Sequence, residues 1–155
     1  MKKAIAALVP LTLIGAAPRG AADGEVALSS AMFVERAVAD AHGATRIVLE
    51  TPETVTRGDR LVFVLSYRTV GDRARSAFTI TNPLPRPLRF EDSSDPGAIV
   101  SVDGGRSWGA LATLTRRDLS GRLRAARPED VTHLRWRRVL PAGEAGSVTF
   151  RSVVR

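Results

Sequence analysis

Few residues of this chain have the type and spacing to carry chemistry. The stretch SVDGGRSW, Ser101 to Trp108, sets one carboxylate, Asp103, among hydroxyls and consecutive glycines. A loop carboxylate either waits for a substrate or accepts backbone amides across a tight turn. Glycine tolerates positive φ, so Gly104-Gly105 favours the turn. His42 and His133 are the only histidines, cysteine is absent, and no HExxH pattern occurs. A zinc site would need Asp or Glu recruited from afar; the two histidines read better as a turn residue and a solvent-facing strand residue. Glu91, Asp92 and Asp95 depart from the calcium-loop spacing and read as a solvated acidic turn. Ser93 and Ser94 lack the context of a nucleophile elbow, and no glycine-rich loop precedes a helix to cradle phosphate. No catalytic set, no metal site and no cofactor is expected.

Arginine offers a different chemistry, because its planar fork reads phosphate and carboxylate groups bidentately. Arg116, Arg117, Arg122, Arg124 and Arg127 crowd one segment, and Arg135 and Arg137 share one side of the next. Together they form a candidate binding surface for an anionic envelope polymer, glycan or phospholipid headgroup. Asp118, Glu129 and Asp130 are interspersed among them, so a solvated basic surface is the alternative.

The 155 residues are enough for one domain. The opening MKKAIAALVPLTLIGAAPRGAADG has Lys2 and Lys3, an apolar run from Ala4 to Ala17, then small residues. That order matches a secretory signal peptide, and the run is shorter than the roughly 20 apolar residues of a membrane-spanning helix. Cleavage is expected after Ala22, giving a signal peptide over 1–22 and a single domain over 23–155. It removes three positive charges and lowers the formal charge from +7 to +4. No transmembrane anchor is expected in the mature chain. The absence of cysteine excludes disulfide scaffolds, thiolate zinc sites and cysteine nucleophiles.

The elements that would position these residues read as strands. RLVFVLSYRT, Arg60 to Thr69, alternates with Leu61, Phe63, Leu65 and Tyr67 on one face, as in a central sheet strand. Ala27 to Ala41 is ambiguous: Phe33, Ala37 and Ala41 have helical spacing, while Phe33-Val34 also suits a strand. TRIVLE places Ile47 and Leu49 on one face, after a turn at His42-Gly43. AFTIT is the next strand. NPLPRPL stops it, with Asn82, Pro83, Leu84, Pro85 and Pro87 as a stiff structural rim or a proline-rich recognition segment. RRDLSGRLRAARPEDV is expected to be the longest mobile loop. THLRWRRVL and SVTFRSVV restore alternation, the first with Leu134, Trp136 and Arg138 on one side. Short strands and Gly/Pro turns predict an all-β sandwich or barrel.

GDRLVFVLSYRTVG, AFTITNPLP and LPAGEAGSVTFRSVV resemble the bacterial surface-protein repeat domain classed as domain of unknown function eleven. Gly58, the alternating Leu61, Phe63, Leu65 and Tyr67, and the turn from Leu140 to Gly143 match its pattern, whereas Thr69-Val70-Gly71 replaces its usual Asn-x-Gly. The resemblance implies an immunoglobulin-like or prealbumin-like antiparallel β-sandwich, a noncatalytic spacer or adhesive role, and no active-site residues to transfer. SVDGGRSW also resembles the Asp box of sialidases and related propellers, through Ser101, Asp103, Gly105, Ser107 and Trp108. In that motif the Asp is structural, which implies a structural hairpin here.

The expected function is an exported, noncatalytic structural or protein-interaction module of the bacterial cell envelope, periplasmic or secreted. Its partner would be an envelope or extracellular protein, or alternatively an anionic polymer held by the arginines. Export argues against nucleic acid.

Overall fold

The computed structural model describes residues 25–70, 76–141 and 143–155. The expected signal peptide over 1–22, Gly71 and Ala142 lie outside these residues. Within them the chain is all-β and every paired strand is antiparallel.

The larger sheet contains β1 (Glu25–Ala39), β2 (Thr45–Glu50), β3 (Arg60–Val70), β5 (Leu88–Ser93) and β10 (Ala145–Val154), in the order β2-β1-β3-β10-β5. A second sheet orders β4 (Ser76–Pro83), β9 (His133–Leu140) and β6 (Ile99–Ser101) as β4-β9-β6. The strands β7 (Thr115–Arg117) and β8 (Leu123–Ala125) form a separate hairpin. The two sheets pack through their inner faces as a β-sandwich. Strand alternation supplies those faces, since successive side chains point to opposite sides. On β3, Leu61, Phe63, Leu65 and Tyr67 are all buried, and β10 sets Val148, Phe150 and Ser152 beside them. The second sheet contributes Ile80, Leu134 and Trp136.

Aromatic contacts tie the layers together. Phe63 and Phe150 stack with centroids 4.7 Å apart, and Trp136 reaches across from the other sheet to 6.0 Å from Phe150. Truncating such a buried ring to alanine costs about 3–5 kcal/mol. Gly146 lies opposite Tyr67, and a Cβ there would sit 2.7 Å from the Tyr67 hydroxyl oxygen. Only glycine admits the ring at that spot.

The ambiguous segment Ala27 to Ala41 is strand. Glu25 to Val34 pair with β3, and Val34 to Ala39 pair with β2. Helical spacing would have served Phe33, Ala37 and Ala41 alone. Strand geometry instead sends Val34 into the core and gives the backbone a partner strand along its length, first β3 and then β2. The strand expected at AFTIT runs on to Pro83, opposite His133. Leu84 N–H donates to Thr132 O at 2.8 Å, so the nitrogen of Pro83 faces away from β9 toward the outer side of an edge strand. A proline costs no ladder bond there.

The expected long loop of RRDLSGRLRAARPEDV is corrected by the β7–β8 hairpin and a 3-10 turn, Pro128–Asp130. Its turn is closed by Asp118, whose carboxylate accepts Ser120 N–H, Ser120 Oγ–H and Arg122 N–H at 2.9, 2.6 and 3.0 Å. Side-chain capping of this kind leaves no mark on hydrophobic periodicity, which is why the segment looked irregular.

Candidate functional site

The SVDGGRSW stretch folds as a self-contained turn beyond β6. Asp103 accepts from Ser107 Oγ at 2.6 Å, Ser101 Oγ at 2.7 Å, and the amides of Ser107 and Arg106 at 2.9 and 3.0 Å. Ser101 Oγ in turn accepts Gly105 N–H at 2.9 Å. Gly104 and Gly105 have φ of 79° and 89°, a region closed to most side chains. The Ser107 bonds, then Ser101 and Arg106, hold the Asp103 carboxyl well below the usual carboxylate range. Both its oxygens accept hydrogen bonds from within the turn.

Trp108 closes the motif by donating its indole N–H to Gly105 O at 2.9 Å. The guanidinium of Arg135 lies 3.6 Å from the centroid of its ring, and Arg135 Nε also donates to Thr81 Oγ1 at 3.1 Å. His133 meets Trp108 edge to face at 6.2 Å. The expectation of a solvent-facing His133 is corrected: it is half-buried, with Nδ1 3.0 Å from Thr132 Oγ1. Burial, then the nearby Arg135, pushes its pKa down.

The arginines separate into engaged and open groups. Arg124 grips Asp130 with two bonds of 2.6 and 2.8 Å, and Arg116 lies 3.6 Å from the same carboxylate while donating to Val102 O at 2.8 Å. Asp130 is buried, also accepts Arg127 N–H, and has its pKa lowered chiefly by the Arg124 bonds. Arg127 stands 3.8 Å from Glu129, and Arg117 donates to Gly121 O at 2.8 Å. With Arg135 on Trp108, only Arg122 and Arg137 of the seven have no side-chain partner among the described residues. The carboxylates once considered for calcium are likewise neutralised: Glu91 by Arg60 and Arg89, Asp92 by Arg151, Asp95 by Arg138.

Thr132, which sequence reasoning passed over, joins the hairpin to the rim. Its N–H donates to Ser101 O at 2.8 Å, its hydroxyl accepts Gly104 N–H at 3.1 Å, and its carbonyl accepts Leu84 N–H. In the rim itself Asn82 and Leu84 are buried, Pro85 O accepts Leu88 N–H, and Pro87 O accepts Arg155 N–H at 2.7 Å. The Asn82 to Pro87 segment is therefore stitched to the sandwich, with Pro87 exposed.

A different surface stays open. Of β1, Val34–Ala39 pairs with β2 and Glu25–Val34 with β3, so the β1–β2 hairpin reaches past the end of β3. Ile47 and Leu49 on β2 are 61% and 51% exposed, and Val38 on β1 is 36% exposed. Ile47 lies across from Ala37, and Leu49 across from Glu35, on one face of the hairpin. Local alternation had put Ile47 and Leu49 on a shared face. It held no sign that this face would lack a covering layer.

Among the described residues, no group of three or more His, Cys, Asp or Glu side chains could hold a metal ion, and no helix is long and apolar enough to cross a membrane. Fold and surface together define an all-β module without a cysteine or metal centre in those residues. Comparison with protein families, with curated proteins and with solved structures gives no match.

Proposed function

We propose that the chain is an exported, noncatalytic interaction module of the bacterial cell envelope, built as an immunoglobulin-like or prealbumin-like sandwich. The observation that carries this reading is the exposed apolar pair on the β1–β2 hairpin, Ile47 and Leu49. A side chain of that kind on an outer strand is stabilised by a partner, through backbone pairing or apolar contact. Export rests on the order of charged, apolar and small residues over 1–22. The interaction reading is preferred over an anionic-polymer binder because Asp130, Glu129 and Trp108 already occupy most of the arginine cluster.

A photo-crosslinking residue at position 47 of the full chain, expressed in its host envelope, tests the proposal. A discrete, saturable protein adduct is expected from position 47 and none from position 137. A folded protein that yields no adduct at 47 would overturn the reading.

A further inference from the structure

We infer that β2 docks against β2 of a second copy of this chain, so that one antiparallel sheet runs through both. The inference rests on the interaction reading and names its partner. Three independent features of β2 point to it.

The first is hydrogen-bonding parity. The β1–β2 ladder is in unbroken register from Val34↔Glu50 to Ala39↔Thr45, and Asp40 N–H donates to Ala44 O at 2.8 Å in the same register. In an antiparallel ladder, bonded and non-bonded pairs alternate. Arg46, Val48 and Glu50 therefore spend their amides and carbonyls on β1. Thr45, Ile47 and Leu49 aim theirs outward, where no strand pairs with them among the described residues.

The second feature is charge. A two-fold axis perpendicular to the sheet at Val48 sets Arg46 of each copy opposite Glu50 of the other. This is a non-hydrogen-bonded pair, the kind in which side chains approach closest. Neither residue has a salt-bridge partner among the described residues.

The third is apolar fit. The same axis sets Ile47 opposite Leu49 of the other copy, and these pairs carry the outward amides and carbonyls. One register thus satisfies the backbone, the charges and the exposed apolar side chains together. Shifting the centre to Ile47 would keep the backbone bonds but set Arg46 against Val48 and Thr45 against Leu49. Symmetry makes each match count twice, as an isologous contact requires.

Sedimentation velocity of the full chain over a range of concentrations, with near-UV circular dichroism to verify folding, tests the inference. The wild type is expected to show reversible dimerisation. Arg46→Glu and Glu50→Arg each place like charges opposite one another twice, and each is expected to weaken the dimer about tenfold. The double variant restores it. Mixing the two single variants also restores it, because each then meets its complement at both positions. If the charge variants unfold, Ile47→Thr with Leu49→Thr replaces them and is expected to leave monomer. A wild type that stays monomeric overturns self-docking, while a position-47 adduct with another protein would leave the interaction reading standing. A dimer unchanged by single swaps overturns the inference as well.

Discussion

Two of the solvent-facing hairpins of this protein are built in opposite ways. The Ser101–Trp108 hairpin turns its polar groups inward: Asp103 accepts from Ser101, Arg106 and Ser107, and Arg135 covers Trp108. The β1–β2 hairpin turns apolar side chains outward, with Ile47 and Leu49 more than half exposed. In the first, Ser101, Asp103, Ser107 and the Trp108 indole N–H are all used to hold shape. In the second, shape comes from the strand ladder and the exposed residues contribute nothing visible to it. A charged, aromatic-containing motif can thus be tied up in its own hydrogen bonds, while a plain TRIVLE strand leaves large apolar side chains exposed.

The contrast can be broken or sharpened by substitution. The largest effect is expected at Asp130, which holds Arg116, itself bonded to Val102 O of the polar hairpin. Asp130→Ala removes the buried acceptor shared by Arg124 and Arg127 N–H and should lower stability by about 2 kcal/mol, read by chemical denaturation. Trp108→Ala strips Arg135 and His133 of their packing surface and should cost about 1.5 kcal/mol by the same measurement.

Acid should expose the same region. The folded-state pKa values of Asp103 and Asp130 are depressed, so their contribution is fully present above the unfolded carboxylate pKa of about 3.9 and is lost as pH falls through the folded values. Melting temperature should therefore drop below about pH 4, and Asp103→Asn should flatten that drop. His133 is also depressed, by burial and Arg135, so its contribution is present above about pH 6.5 and is lost as pH falls below that. His133→Gln should remove this shallower, higher-pH slope and leave the acid one.

The smallest stability effect is expected on the apolar hairpin. Ile47→Thr with Leu49→Thr, compared with wild type at a protein concentration low enough to keep both monomeric, should change unfolding free energy by no more than about 0.5 kcal/mol, because neither side chain is in the core. A loss comparable to Trp108→Ala would show that these residues pack against something within the chain and would erase the contrast.

How much of this was legible beforehand varied by element. The alternation of Leu61, Phe63, Leu65 and Tyr67, and of Val148, Phe150 and Ser152, marked inner faces correctly because a strand's period is local. The stretch from Ala27 to Ala41 was undecidable because its choice depended on β3, which lies far along the chain. The β7–β8 hairpin was missed because Asp118 closes it through hydrogen bonds rather than through an apolar pattern. At the arginine cluster, residue types were evident, but the pairing of Arg124 and Arg116 with Asp130 was a matter of approach in space.

By itself the sequence determined the all-β character, the strand faces and the chemistry available at each turn, because periodicity, proline, glycine and side-chain acceptors act over a few residues. Tertiary structure alone decided which faces would be covered. Whether Arg135 meets an aromatic ring, or Ile47 meets water, depends on which strands become neighbours, and that is settled by long-range pairing and packing rather than by any local preference.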